Sequence, residues 1–344
     1  MFVFLCARKP KKRGNFLNSE GKISAIIVTK DSAQLTLELI KSIVADKDLL
    51  SELEEIIIVD NGSKDNTEKL VKDLGLDVEY IRLEENLGFS KAVNLGAKKI
   101  KGDYILLLNS DVLLPLGEII NLKRFMEKNG DVGVCGPQLL FSDGSPQRSY
   151  SHVPSLISEL FPRSLYEKIF VERKLKKLER EKNFPVFIVD SLIGACLLIR
   201  RTTFRKLNGF DERFFFFLEE TDFCVRVRKI GELVVFVPYA KVIHYQGMTV
   251  KKSWILGRIE YNISLFKFIK KHHRGTYFIC FAFIRFLKAL GNLLVLIFLP
   301  FLLFSAKKRN LLFYYLRLLI WFLKGLPEDY GLRGYPQSNS QERI

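Results

Sequence analysis

The residues of this chain best able to do chemistry sit where apolar runs stop. The stretch "YILLLNSDV" (104–112) ends its Ile and Leu on Asn109-Ser110-Asp111, and two earlier runs end on Asp31 and Asp60. One carboxylate with an amide two places before it offers a single anionic oxygen to a hard cation, where a second acid would have made a two-carboxylate clamp. Further on, "FFFFLEETDFCVR" crowds Glu219, Glu220 and Asp222 together, a spacing that can provide a general base with a second acid beside it. His244, in "VIHYQG", closes another apolar run. Each has a plainer reading. Asp is common in loops and caps, acids in a helix's first turn are favoured by its dipole, and His244 can simply pack against Tyr245. Gly194 either lets an acceptor come close or eases a strand bend. His152, His272 and His273 read as non-ligands, the last two as surface residues of a basic helix.

The elements that would hold these groups share one design. "ISAIIVTKD" (23–31), "LEEIIIVDNGS" (53–63) and "GDYILLLNSD" (102–111) are short, rich in Ile, Val and Leu, and end in polar residues. Continuous apolar runs of that length suit parallel strands covered on both faces. Helical patterns lie between them, with cap chemistry at Ser63–Thr67 and glycine stops at Gly75 and Gly102. Alternating strands and helices predict an α/β sheet with right-handed crossovers, whose ligands collect at the strands' carboxyl ends. Residues 112–250 are less regular: a helix at about 117–129, a strand "VGVCGPQLL", a charged helix or flap at 166–183, and the aromatic run 214–217, mostly core with a part free to line a groove.

The 344 residues carry a net charge of +16, with 48% apolar residues, enough for a real core. The charge is unevenly placed. Residues 1–22 carry six Lys/Arg against Glu20 alone, residues 251–344 carry sixteen against four acids, and 23–250 is close to neutral. A neutral centre with basic ends argues against nucleic acid and for an anionic membrane surface. Five scattered cysteines without a CxxC pair fit neither zinc nor a disulfide framework, and point to a reducing compartment. In "MFVFLCARKPKKR" the basic cluster follows the apolar residues, the reverse of a secretory signal.

The C-terminal third changes character. Its cleanest apolar runs, Ala289–Phe304 and Leu311–Leu326, are 16 residues each, short of the roughly 20 that a spanning helix needs. Asn310, Tyr314, Arg317, Trp321 and Lys324 form a narrow polar stripe at helical spacing, as in a helix lying in the membrane interface. The loop "AKKR" would face outward if the first run crossed from the cytoplasm, against the positive-inside preference. A hairpin dipping into the cytoplasmic leaflet is therefore expected. Two tilted spans, a soluble helical bundle, or an oligomer interface are the alternatives.

Six motifs in order, "AIIVTKD", "IIIVDNGSKDNT", "ENLGFSKAVNLG", "ILLLNSDV", "FFFFLEETDFCVR" and "VIHYQG", resemble glycosyltransferase family 2, closest to its rhamnosyltransferase-like branch; "GPQLLFSDGSPQRS" looks like the same branch. The resemblance covers about 22–250 and implies a GT-A fold, a mostly parallel sheet flanked by helices, acting as an inverting transferase on nucleoside-diphosphate sugars. The implied organisation is a basic segment (1–21), the catalytic domain (22–250), a helical membrane-associating region (251–330) and a polar tail (331–344). By the same resemblance Thr29 and Asp60 hold the nucleotide base, and Gly88, Lys91 and Asn94 pass beside ribose and diphosphate. Asp111 binds Mg²⁺ or Mn²⁺ with His244 completing its shell, and Asn109 donates to the diphosphate. Glu220 is the base, a role that Glu219 or Asp222 could also claim, and those two hold the acceptor. Lys30, Asp31 and Glu220 stand where relatives usually carry Tyr, Asn and Asp. Placement at the inner leaflet implies a glycan or polyprenyl-linked acceptor. The rivals are a non-catalytic membrane-bound scaffold that senses sugar nucleotides, and a nucleotidyltransferase, whose Gly-rich basic start "IIVTKD" lacks.

Overall fold

The computed structural model describes residues 21–161, 186–245, 254–299 and 305–334. The basic N-terminal segment, the charged stretch 166–183 and the tail from 335 lie outside the described residues. The first half alternates as expected: β1 (Ile23–Thr29), α1 (Ala33–Ala45), α2 (Lys47–Glu52), β2 (Leu53–Asp60), α3 (Thr67–Lys72), β3 (Glu79–Arg82), α4 (Phe89–Ala97), β4 (Tyr104–Asn109), β5 (Val112–Leu113), α5 (Glu118–Lys128) and β6 (Val132–Leu140). The second half holds β7 (Tyr150–Ser151), α6 (Leu156–Leu160), β8 (Phe187–Ile188), β9 (Ser191–Leu192), β10 (Cys196–Arg200), α7 (Arg201–Lys206), α8 (Glu219–Lys229) and β11 (Leu233–His244). Three long helices follow: α9 (Trp254–His272), α10 (Gly275–Phe298) and α11 (Ala306–Leu323).

The main sheet runs β3-β2-β1-β4-β10-β6-β11-β5. Strands β3, β2, β1 and β4 are mutually parallel, and β6 is parallel to β11. Strand β10 is antiparallel to both β4 and β6, joining the two parallel halves. Strands β1 and β4 are buried almost end to end, as their unbroken apolar runs require. One core cluster packs α1 and α5 against one face of the sheet. A second covers the other face with α4, α7 and α8.

The third cluster joins Phe214 and Leu218 of the aromatic run to Ile259, Ile263 and Phe266 of α9 and Trp321 of α11. The helical region is thus packed onto the segment that leads into the acidic triplet. Two details depart from the sequence reading. Helix α10 runs 24 residues, Gly275–Phe298, the one helix among the described residues long and apolar enough to cross a membrane. The uninterrupted apolar run begins only after Lys288; upstream of it Arg285 is drawn in to Glu159 of α6, while Lys288 reaches the same carboxylate from an exposed position. On α11 the middle of the stripe faces inward, while its ends, Asn310 and Lys324, stay exposed. Tyr314 and Trp321 are buried, and Tyr314 Oη accepts a hydrogen bond from Asn262 on α9 at 3.0 Å. The outer face is carried by apolar residues, of which Phe313 and Leu323 are more than half exposed.

Candidate active site

Register builds the site. Strands β1 and β2 pair Thr29 with Asp60, and β1 pairs Val28 with Asn109 on β4, so the three carboxyl ends stop side by side. The short β5 then pairs with the far end of β11, Val112 opposite His244, and the Tyr245 N–H donates to the Asp111 carbonyl at 2.9 Å. That pairing brings residues from opposite ends of the catalytic segment together. His244 Nε2 lies 3.4 Å from Asp111 Oδ1, both side chains nearly buried. Gln147 locks the imidazole. Its Oε1 stands 2.7 Å from His244 Nδ1 and its Nε2 donates to the His244 carbonyl at 2.9 Å. With Nδ1 carrying the proton toward Gln147, the Nε2 lone pair is left facing Asp111.

This donor set suits a divalent cation. A carboxylate oxygen and an imidazole nitrogen converge, and a hydrogen bond behind the ring fixes its tautomer, as metal-binding histidines require. Among the described residues no group of three His, Cys, Asp or Glu is placed to hold a metal ion. Phosphate oxygens and water would therefore fill the remaining positions, the usual arrangement for Mg²⁺ and Mn²⁺ on nucleotides. Gln147 was not singled out from sequence; the signal lay in "GPQLLFSDGSPQRS", but its partner is 97 positions away.

The acidic triplet divides into three environments. Phe217 and Leu218, non-glycine residues at φ +70° and +65°, both take the left-handed region just before α8. Such strain persists only where surroundings impose it, and here it sets the direction of the first turn. Glu220 keeps some exposure, while close packing pushes its carboxyl up to about 7. Gly194 lies against it, where an added Cβ would stand 3.4 Å from Glu220 Cβ. That is ordinary van der Waals contact, so Gly194 lines the Glu220 side chain without the side chain demanding a glycine there. The next residue, Ala195, accepts the Asn109 N–H at 3.0 Å. One glycine-alanine step thus ties the acidic helix to the Asn109–Asp111 turn.

Glu219 is buried, and its Oε2 lacks a hydrogen-bond partner among the described residues. Burial, then the charges of Glu220 and Glu260, hold its carboxyl well above the ordinary range, so it is the neutral member of the pair. Asp222 differs from expectation. It is completely buried and faces α9, taking Arg226 Nε at 2.7 Å, Lys271 Nζ at 2.6 Å and His272 Nε2 at 2.8 Å. Burial alone would raise its pKa, but His272, Arg226 and Lys271 together hold it below the usual carboxylate range. It therefore has no free edge for an acceptor. The reading of His272 as a surface residue is likewise corrected, since its side chain is only 6% exposed.

The nucleotide-side residues are more enclosed than their sequence roles imply. The Thr29 hydroxyl bonds Ser32 and Thr36. Asp60 is fully buried: Oδ1 accepts from the Ser63 N–H, and Oδ2 from Tyr80 Oη at 2.6 Å and Arg82 Nη1 at 3.1 Å. Both side chains are thus engaged within the protein in this conformation, and Arg82, not singled out from sequence, is the partly exposed cation beside Asp60. Gly88 has φ +87°, and a Cβ there would meet Phe215 at 2.6 Å, so only glycine fits. The Asn94 amide is spent on Phe210 and Glu212, away from any ribose, while Lys91 stands exposed in the first turn of α4. Lys30 reaches Asp31 and the Gly62 carbonyl, offering no stacking surface.

The profile described as "Glycosyl transferase family 2" matches residues 24–207. The chain belongs to this family. Across 239 residues it is 28% identical to an N-acetylglucosaminyl-diphospho-decaprenol L-rhamnosyltransferase of Mycobacterium tuberculosis, covering 64% of this chain and 76% of that one. It is 25% identical to the rhamnosyltransferase WbbL of Escherichia coli K12, over 55% of this chain and 82% of that one. Among solved structures it is similar to the mannosyltransferase PcManGT of Pyrobaculum calidifontis in complex with GDP-Man and Mn²⁺, with a TM-score of 0.56, 15% identity and 91% of each chain covered. That likeness supports the fold, and the mixed sheet matches the GT-A-like architecture expected from sequence. The family-2 chain is thus a glycosyltransferase.

Proposed function

We propose that this glycosyltransferase is divalent-metal-dependent and inverting, and that it moves a hexose from a nucleoside-diphosphate sugar to a polyprenyl-diphosphate-linked glycan at the cytoplasmic face of the membrane. The observation that carries the reading is the pairing of two unlike sites across Gly194-Ala195: a carboxylate–imidazole pair on one side, a carboxyl held near neutrality on the other. Glu220 takes the proton from the acceptor hydroxyl as its oxygen attacks the anomeric carbon from the face opposite the diphosphate, and one displacement inverts that centre. Asp111 and His244 would hold the cation, which when bound neutralises charge on the departing diphosphate. Asn109 would donate to that diphosphate, and a second carboxylate there would repel it. Rhamnose is favoured as the donor sugar because both curated relatives named above are rhamnosyltransferases.

Membrane attachment is supported by the outward faces of α10 and α11. Phe283 and Phe298 on α10, like Phe313 and Leu323 on α11, are more than half exposed. Helix α10 is anchored to the catalytic domain from Tyr277, whose Oη accepts the Leu156 N–H, to Lys288, which bonds Glu159. The remainder, 289–298, buries Ala289, Leu293 and Leu296 and exposes its other face, and it rises about 15 Å at 1.5 Å per residue. That is the depth of one leaflet's hydrocarbon, about half of 30 Å. A dip into the cytoplasmic leaflet fits better than a crossing, although the whole helix is long enough to cross. Lys307, Lys308 and Arg309 begin α11, where each contributes about 1 kcal/mol beside anionic lipid.

Calorimetry with a panel of sugar nucleotides and Mn²⁺ tests the donor side. Asp111→Ala should abolish metal-dependent nucleotide binding, whereas Glu220→Gln should keep binding and lose transfer. Full transfer by Glu220→Gln would refute the base assignment, and undiminished metal-dependent binding by Asp111→Ala would refute the cation site.

A further inference from the structure

Arg258 is distinguished by stacking on two rings, whereas Arg317, which also lacks a carboxylate partner among the described residues, lies over Tyr330 alone. Arg258 is exposed on α9, and no carboxylate among the described residues pairs with it. Its guanidinium is nonetheless held in place, 4.5 Å from the Trp254 ring centroid on its own helix and 5.4 Å from that of Tyr314 on α11. Stacking of this kind fixes the planar fork while leaving its N–H edges free, and a fork so fixed suits bidentate recognition of phosphate. Elsewhere in the helical region Arg285, Lys267 and Lys271 are engaged with carboxylates. Arg258 is a prepared donor without an acceptor.

Its position says which phosphate. One turn further along α9, Tyr261 meets Phe217 with ring centroids 5.9 Å apart, and Phe217 stands three residues before Glu220. On the other side Tyr314 is followed along α11 by the outward apolar residues Leu316 and Ile320. Arg258 is thus flanked on one side by the segment that leads into Glu220 and on the other by the apolar flank. A lipid-linked acceptor has the same order of parts: a sugar hydroxyl, a diphosphate and a hydrocarbon tail.

Building on the function proposed above, the geometry points to Arg258, clamped by Trp254 and Tyr314, as the site that binds the diphosphate of a polyprenyl-diphosphate-linked acceptor. The site sets the distance between membrane and base, and so selects acceptors by their phosphates. Anionic phospholipid headgroups share this chemistry, and the test separates the two sources.

The chain has two tryptophans, and Trp321 is buried, so Trp321→Phe leaves Trp254 as a sole reporter beside the guanidinium. The full-length protein would be titrated in neutral phosphatidylcholine vesicles, with chelator present to silence the Asp111 site. The probes are a polyprenyl diphosphate, the same polyprenol without phosphate, and phosphatidylglycerol. Saturable change with the diphosphate and none with the polyprenol is expected. Arg258→Gln should weaken binding by roughly 10- to 100-fold, as loss of a charge-assisted pair does, with Arg258→Lys intermediate. If Trp321→Phe fails to fold, vesicle co-flotation of the parent and of Arg258→Gln gives the same comparison. Equal binding by Arg258→Gln overturns the proposal, as does displacement of the diphosphate by an equal amount of phosphatidylglycerol. Donor binding with Mn²⁺ should be unchanged in Arg258→Gln. A parent protein that binds no sugar nucleotide would instead sink the reading of the catalytic site, and the chelated lipid titration would still decide on Arg258.

Discussion

If Glu220 is the base, transfer should fail in mildly acidic solution well before an ordinary glutamate would be protonated. Packing lifts its carboxyl from 4.5 to about 7. At pH 6 roughly a tenth of the enzyme then carries the ionised base, and at pH 5 roughly a hundredth. A glutamate left at its ordinary value would be more than nine-tenths ionised at pH 6. The sign is fixed by the role: a base works when deprotonated, so kcat should climb about tenfold per pH unit up to about 7 and level off above it. The assay is the initial rate at saturating donor, acceptor and Mn²⁺ from about pH 5 to 9. Metal affinity is measured in parallel at each pH, so that any loss of cation binding is not counted as loss of the base. Saturation removes that contribution from kcat but leaves the contribution of Glu220. A kcat that stays flat down to about pH 5.5 under saturating metal would refute the assignment.

Other perturbations read the neighbouring contacts. Gln147→Leu frees the His244 ring to rotate and should cost 10- to 100-fold in Mn²⁺ affinity, measured by titration with a nucleoside diphosphate; unchanged affinity would show that the ring needs no such hold. Glu219 is held neutral by burial, so the native state keeps a proton that the unfolded chain gives up. Stability from this residue is therefore lost as pH rises through the unfolded value, and Glu219→Gln should raise the melting temperature more at pH 8 than at pH 4. An equal gain at both would contradict it. Lys271→Met strips one partner from buried Asp222. The loss should approach the roughly 3–5 kcal/mol typical of breaking a buried pair, lessened by Arg226 and His272, and Lys271→Arg should restore much of it in denaturant titrations.

The parallel half of the fold was legible because each strand is an unbroken apolar run with a polar end, and register then places Thr29, Asp60 and Asn109 side by side with no further information. The meeting of Asp111 and His244 was legible only through resemblance. No local pattern announces that two residues of β5 will pair with the last turnout of β11, and Gln147 is chosen by that pairing. Periodicity found the stripe on α11 but not its direction. A row containing Tyr, Trp and Arg reads as a water-facing edge, yet each of these can pack its apolar part against the protein and satisfy its polar tip on a neighbour. Here Trp321 Nε1 donates to the Pro327 carbonyl and Arg317 lies over the Tyr330 ring. The Asp222 cluster was hidden for a similar reason. Its partners on α9 are about fifty positions away in a run, "KFIKKHHR", that looks like solvated charge.

That cluster changes what the helical region is for. A membrane anchor needs only to be attached, and cutting the chain at 250 would leave a soluble catalytic piece. Here the cut would remove Lys271 and His272 from a carboxylate two residues past Glu220, and would uncover Phe214 and Leu218. Arg226 alone would have to compensate Asp222, and an under-compensated buried charge draws in water or protonates. Either response loosens the first turn of α8, where two left-handed residues already hold strained backbone. Residues 22–250 expressed alone should therefore aggregate, or stay soluble with kcat depressed and metal-dependent donor binding retained, because Asp111, His244 and Gln147 touch none of α9. Such a split between intact donor binding and lost transfer separates a helix that positions the base from one that merely tethers it. A soluble fragment with full transfer would show that the helices only anchor.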